Sequence, residues 1–108
     1  NSGKTSRKTR AFKMNDELIF QLQNWYKSKC NGLWEHEYGL DISTLDNPGW
    51  KVHINGENKK KKSNIIINNN DDDWLNIITS DIEFKGYGSP QNLNTILNHA
   101  IKWLNDPQ

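Results

Sequence analysis

The first regular pattern of apolar residues lies near the beginning of the chain and has the spacing of a helix. Its members recur every three or four positions, namely Leu18, Ile19, Leu22, Trp25 and Tyr26. Residues at this spacing share one face of an α-helix. We therefore predict a helix from Asp16, whose carboxylate would cap it, to about Lys29, and Asn31-Gly32 supplies the stop signal.

A second helical pattern lies at the other end of the sequence. Its apolar residues fall on one face of a helix, namely Leu93, Ile96, Leu97, Ala100, Ile101 and Leu104. Ser89 followed by Pro90 is a favoured helix start, because serine caps the first turn and proline has no N–H to leave unpaired. We predict an amphipathic helix that begins at these two residues and covers a core.

Between the two helices, apolar and polar residues alternate, as they do in strands with one face in a core and one in water. This pattern predicts strands at 38–45, 50–54, 74–80 and 82–87, and three consecutive isoleucines predict a short strand within 64–70. We interpret residues 56–63 and 68–73 as polar loops. The order of elements predicts an α+β domain: an antiparallel sheet of four or five strands flanked by an N-terminal and a C-terminal helix.

The predicted core joins the first two strands to the last helix. The strand residues that we expect to be buried together beneath that helix are Tyr38, Leu40, Ile42, Trp50, Val52 and Ile54. The connecting string Asp46-Asn47-Pro48-Gly49-Trp50 predicts a type II turn with Gly49 at positive φ. Because such a turn fits a two-residue hairpin poorly, we expect a longer loop or a bulge there.

Length and charge define the predicted organisation of the chain. Its 108 residues are typical of one domain. Residues 1–13 contain five basic and no acidic residues, whereas residues 14–108 contain 9 Lys against 13 Asp and Glu. We expect residues 1–13 to be a disordered basic leader added for expression, and residues 14–108 to be a single mildly acidic domain.

Cysteine usage and hydropathy restrict the class further. Cys30 is the only cysteine, which excludes an internal disulfide. No apolar run approaches the roughly 18–20 residues that a membrane-spanning helix needs. We therefore expect a cytoplasmic protein without a membrane partner.

The densest cluster of polar and aromatic residues is Trp34-Glu35-His36-Glu37-Tyr38-Gly39. Glu35, His36 and Glu37 are residue types that bind divalent metals or transfer protons, so a small metal-dependent enzyme is one hypothesis. On a strand, however, His36 would point away from the two glutamates, and metal ligands must converge. We favour a structural role, in which Glu35 or His36 makes hydrogen bonds that hold the first strand, and we expect no catalytic residue, metal or cofactor.

A basic segment suggests another hypothesis, a nucleic-acid-binding module. Its candidate contacts would be residues 1–13 together with Lys59–Lys62. The excess of acidic residues in 14–108 disfavours contact with phosphate, so nucleic acid is not the partner that we expect.

Several strings in the sequence resemble the bacterial immunity protein 53 family. They occur in the same order as in that family and are Trp25-Tyr26, Cys30-Asn31-Gly32, Trp34 to Gly39, Thr44 to Trp50, Asp73-Trp74, Phe84 to Gly88 and Asn92-Leu93. The resemblance spans Leu18 to Trp103, and the segment from Asn58 to Asn70 departs from it. It implies a small protein that neutralises a cognate toxin domain of a bacterial polymorphic toxin system.

The residue-level observations agree with a protein-binding role. Toxins that act on nucleic acid commonly need a basic substrate groove. Charge attraction would make an acidic inhibitor associate faster with such a groove and would fix its orientation there. Tryptophans at junctions between loops and strands would supply aromatic anchors. The partner-binding residues that we predict are Trp34, Asp71, Asp72, Asp73, Trp74, Asp81 and Glu83. The strings 34–39 and 46–50 are predicted to be mainly structural.

Overall fold

The computed structural model describes residues 13–105, and the side chains of residues 17–105. In chain order its elements are α1 (Lys13–Lys29), a 3-10 helix (Trp34–His36), β1 (Leu40–Leu45), β2 (Gly49–Ile54), β3 (Ser63–Asn70), β4 (Asp73–Thr79), β5 (Phe84–Gly88) and α2 (Leu93–Asn105). The predicted leader, residues 1–13, lies outside the described residues except for Lys13, which belongs to α1.

All five strands form one antiparallel sheet in the order β1-β2-β5-β4-β3. Three of the strand pairs are hairpins between consecutive strands, and β2 pairs with β5 in the middle of the sheet. Helix α2 packs across β5, β2 and β4, and α1 packs against α2. The arrangement confirms the predicted α+β class, with a five-stranded antiparallel sheet, one helix before it in the sequence and one after it.

The core lies between the central strands and α2, as the alternation of residues predicts. Val52, Ile54 and Phe84 are fully buried on the sheet. The buried residues of α2 are Ile96, Leu97, Ala100, Ile101, Trp103 and Leu104. The predicted apolar face of the last helix is therefore confirmed. In α1 the stripe is covered only in part, since Leu22 is buried while Ile19 and Tyr26 are exposed.

Strand β1 is more exposed than its sequence predicts. It begins at Leu40, so Tyr38 lies outside it and is 45% exposed, and Ile42 is 39% exposed. The prediction that these two residues are buried is wrong. The reason is the strand order, which places β1 at an edge of the sheet, whereas α2 packs on the central strands. Trp50, on β2, is half-buried and donates its indole N–H to Pro90 O at 2.8 Å.

The loop between β1 and β2 contains three residues, Asp46, Asn47 and Pro48, because Leu45 pairs with Gly49. This agrees with the expected longer connection. The Asn47–Pro48 peptide bond is cis, and Gly49 does not have a positive φ, so the predicted type II turn is wrong. Gly49 is needed for a different reason. A Cβ atom at this position would lie 2.5 Å from Gly88 O, which leaves no room for a side chain between β2 and the end of β5.

Replacing Gly49 with alanine should therefore destabilise the fold by about 1–3 kcal/mol, the range for forced overpacking. The matched control is Gly39→Ala, because a Cβ at Gly39 meets nothing within 4 Å and its φ is not positive. Urea unfolding of both variants measures the difference. Equal midpoints would show that the sheet shifts to accept the methyl group at Gly49.

Two helix starts differ from the prediction. Helix α1 already includes Lys13, so Asp16 lies within the helix and not at its start. Helix α2 begins at Leu93, and Asn92 O accepts its first hydrogen bond from Ile96 N at 3.0 Å. The predicted cap at Ser89 is wrong because Ser89 N donates to Trp74 O at 3.1 Å and so extends the sheet beyond β5.

The isoleucine-rich strand is longer than predicted. β3 continues to Asn70 and β4 begins at Asp73, so the predicted loop at 68–73 is wrong and only Asp71 and Asp72 form the tip of the hairpin. A bulge interrupts the β3–β4 pairing between Asn68 and Asn70. The side chain of Asn70 accepts a hydrogen bond from Asp72 N at 2.8 Å and so stabilises the tip.

Candidate functional site

The segment from Trp34 to Gly39 forms a turn that is held by side-chain hydrogen bonds to the backbone. The Asn31 amide oxygen accepts from Leu33 N and Trp34 N, each at 2.9 Å. The Glu35 carboxylate accepts from Asn31 N at 3.0 Å and from Gly32 N at 2.8 Å. Its own backbone N–H, followed by those of Asn31 and Gly32, lowers the pKa of Glu35. Glu35 thus fixes the turn that leads into β1.

The aromatic rings of this turn form a cluster with α1. The Trp34 ring lies 5.5 Å from that of Trp25 in an edge-on arrangement, 5.9 Å from Tyr26 and 6.0 Å from Tyr38. The Trp34 indole N–H donates to Gly56 O at 3.1 Å. Trp34 is consequently half-buried and fixed in place, while Tyr38 at the edge of the cluster keeps nearly half of its surface in solvent.

A groove of about 350 Å³ separates this cluster from the turn between β4 and β5. Its lining residues are Tyr38, Asn55, Gly56, Glu57, Asn58, Ile82 and Glu83. The far wall is rigid because the Ser80 hydroxyl accepts from Ile82 N at 3.2 Å and from Glu83 N at 3.0 Å. We call this concavity the Tyr38–Ile82 groove, after the two exposed apolar side chains in its lining.

Carboxylates lie at the floor and rim of the Tyr38–Ile82 groove. Glu83 at the rim is about one-third exposed, and its Oε2 lies 3.0 Å from His53 Nε2. Glu57 at the floor has a side chain that is only 8% exposed and accepts a hydrogen bond from the Trp25 indole N–H. The ammonium groups of Lys29 and Lys60 lie 3.2 and 3.8 Å from its oxygens. Sequence reasoning missed Glu57, because a single acid beside a lysine run carries no signal of burial.

The structure divides the predicted partner-binding residues between the two ends of the sheet. Trp34, Asp81 and Glu83 lie at the end that carries the Tyr38–Ile82 groove. Asp71, Asp72, Asp73 and Trp74 lie at the opposite end of β4, a strand of seven residues, which spans roughly 20 Å at the usual rise per residue. A partner that contacts all seven must therefore reach both ends of β4.

The predicted partner-binding residues at the opposite end of β4 are held in part by local hydrogen bonds. Asp73 accepts from the Asn69 amide at 2.9 Å and from the Asn92 amide at 3.1 Å. These two hydrogen bonds lower the pKa of Asp73. Asp71 and Asp72 are exposed, and the half-buried Trp74 ring lies against Gly49.

The side chains behind the metal-dependent enzyme hypothesis are not gathered into a site, whereas three of the lysines behind the nucleic-acid hypothesis, Lys59, Lys60 and Lys62, line one concavity together with Asp81. Within residues 13–105, no group of three or more His, Cys, Asp or Glu side chains is placed to hold a metal ion. Glu35 is engaged with the backbone of its own turn, and His36 and Glu37 are exposed. Among the four lysines of 59–62, Lys60 donates to Leu104 O at 2.6 Å and thus stabilises the fold.

Comparison with known families identifies the family of the chain. The model of the family described as Immunity protein 53 matches residues 19–105, and the chain belongs to this family. It is therefore an immunity protein by family. No curated protein and no solved structure matches the chain. None of the helices in the described part of the chain is long and apolar enough to cross a membrane.

Proposed function

We propose that this protein protects a bacterium by binding a cognate toxin domain directly and blocking its active site or substrate path in the cytoplasm. The observation that carries the proposal is the family match over residues 19–105, which includes every strand and helix α2. A protein of this class that acts by binding needs a pre-formed surface, and most interfaces between proteins change little in backbone when they form.

We locate the toxin contact at the Tyr38–Ile82 groove. Tyr38 and Ile82 are 45% and 50% exposed, and they provide an aromatic and an aliphatic side chain to the lining of the groove. Aromatic side chains that fill or border pockets are typical binding hot spots. The turn from Trp34 to Gly39, which carries part of the family resemblance, forms one wall, so the residues that characterise the sequence also build the proposed contact.

The acidic side chains near the groove favour a toxin surface that carries basic residues. Glu83 and Asp81 stand at the same end of the sheet as the groove, and the Glu83 carboxylate is accessible beside His53. A lysine or arginine of the toxin could therefore pair with Glu83 while its apolar stem contacts Ile82. That Asp71, Asp72, Asp73 and Trp74 also contact the toxin stays a prediction, and it would require a partner that reaches both ends of β4.

The experiment is to express the toxin domain encoded by the neighbouring gene in a sensitive bacterium, with and without this protein. We expect growth to be restored and the two purified proteins to form a complex. Ile82→Ala should weaken the complex at least about tenfold, the effect of losing a hot-spot side chain. The control is Ile19→Ala, because Ile19 is similarly exposed at 54% but lies on α1, outside the groove.

The outcomes separate the function from the location of the contact. Without rescue or complex formation, direct neutralisation is wrong. If rescue occurs and the two alanine variants bind equally well, the protein neutralises the toxin through a different surface.

A further inference from the structure

Strand β3 forms an edge of the sheet without the features that usually protect such an edge. It pairs with β4 on one side, and no other strand of the described residues pairs with its second side. Natural edge strands are commonly short, charged or interrupted by proline. β3 has eight residues, none of them charged and none a proline. The bulge near Asn69 lies at one end and leaves residues 63–68 in regular pairing.

The side chains of β3 are apolar on both faces of the sheet. Ile65 and Ile67 pair with Ile77 and Leu75 and so share the face that carries the core. Ile66 points to the opposite face and is 69% exposed. Helix α2 packs on β5, β2 and β4. An added strand beside β3 would therefore cover apolar side chains on both faces as well as the unpaired edge of the backbone.

The sequence of β3 is symmetric about Ile66. The central five residues read Asn64-Ile65-Ile66-Ile67-Asn68 in either direction. In an antiparallel pair with a two-fold axis through Ile66, each Ile66 faces its own copy, each Ile65 faces Ile67, and each Asn64 faces Asn68. An interface of this kind is self-complementary, as two-fold symmetry requires.

The charges that flank β3 are complementary in the same register. The exposed Lys59 and Lys61 precede the strand, and the exposed Asp71 and Asp72 follow it at the hairpin tip, with Lys61 and Asp71 at equal distances in sequence from Ile66. Antiparallel pairing would bring the lysine run of each copy to the aspartate tip of the other, with Lys61 nearest to Asp71. Opposite charges thus meet at both ends of the shared edge. A shift of the pairing register by one residue would set side chains of opposite faces against each other, so the alternation of side chains also favours this register.

We infer that a second copy of this chain pairs with β3, edge to edge and antiparallel about Ile66, to give a continuous sheet of two five-stranded halves. The inference is independent of the proposed neutralisation, because it uses a different edge of the molecule. A single strand pair buries less surface than the ~1,200 Å² of a standard interface. The dimer is therefore a concentration-dependent one that dissociates at low protein concentration.

Sedimentation equilibrium of the purified protein over roughly 1–500 µM tests the inference, a range that brackets weak association. We expect a monomer–dimer equilibrium in the wild type. Ile66→Lys places two like charges across the two-fold axis and should weaken dimerisation at least about tenfold, since like charges directly opposite destabilise strand pairs. Ile42→Lys is the control, because Ile42 is an exposed isoleucine on the other edge strand.

A charge exchange tests the register. Lys61→Glu alone sets an acid against Asp71 of the second copy at both ends and should weaken the dimer, and Asp71→Lys alone should do the same. The double variant Lys61→Glu/Asp71→Lys should restore association. A wild-type protein that stays monomeric throughout, a dimer that Ile66→Lys leaves unchanged, or a double variant no better than the singles would overturn the inference. A monomeric wild type whose toxin complex is weakened by Ile66→Lys would also overturn the inference. That result would show that the toxin, and not a second copy of the chain, binds the edge of β3.

Discussion

Replacing Glu57 with alanine should lower the free energy of unfolding by about 3–5 kcal/mol, the usual effect of removing one partner of a buried ion pair. The Glu57 side chain is 8% exposed and connects its own loop, residues 55–62, to α1. It accepts from the Trp25 indole of α1, and it lies near Lys29 of the same helix and Lys60 of the loop before β3. Truncation would leave the Trp25 indole N–H without its hydrogen-bond acceptor. It would also leave the ammonium group of Lys60, a side chain that is only 13% exposed, without the nearby Glu57 carboxylate.

The measurement is urea unfolding, with two matched variants. Glu57→Gln keeps an acceptor for the Trp25 indole and should cost less than alanine, because only the charge is lost. Glu37→Ala removes an exposed glutamate from the same end of the molecule and should stay within about 0.5 kcal/mol of the wild type. If Glu57→Ala and Glu37→Ala unfold alike, the loop at 55–62 and α1 are held together without the Glu57 carboxylate.

The second large effect is expected at Phe84, where alanine should cost about 3–5 kcal/mol. Phe84 is fully buried at the start of β5, between β2 and β4, and its ring lies 5.9 Å from that of Trp103 in α2. The substitution removes the ring that packs against Trp103 of α2, and it leaves a cavity between the sheet and the helix. Typical domains have only about 5–15 kcal/mol of stability in total, so this variant should unfold well below the wild-type temperature.

Thermal unfolding followed by circular dichroism compares Phe84→Ala with Ile19→Ala. Ile19 is apolar but 54% exposed, so its truncation should shift the midpoint little. A small shift for Phe84→Ala would mean that neighbouring side chains collapse into the space, and crystals of the variant would show that rearrangement.

The apolar face of α2 and the inward faces of β2 and β4 were predictable because they depend on local periodicity. Each is a repeat of 3.6 or 2 residues that the chain contains within one element. The exposure of Tyr38 and Ile42 was not predictable in this way. Their exposure follows from the position of β1 at an edge, and strand order is a property of the whole sheet.

The candidate site shows the same division between local and non-local information. The fixed turn around Glu35 involves partners within four residues, and its role could be anticipated from polar residues before a strand. The separation of Asp73 from Asp81 depends on the length and direction of β4. The Glu57 contacts join residues that are 32 positions apart in the case of Trp25. The sequence pattern contains no trace of such a pair.

The strand order also determines how the fold assembles. Residues 40–54 and residues 63–88 are each continuous stretches of hairpins, and β2 meets β5 along the only strand pair that joins them. Ile54 and Phe84 are neighbours in this pair although thirty residues separate them. Closing such a loop costs entropy that neighbouring hairpins avoid. We therefore expect the two halves to gain their local pairing first and the pairing of β2 with β5 to form late, so that substitutions at this strand pair should change the unfolding rate more than the folding rate.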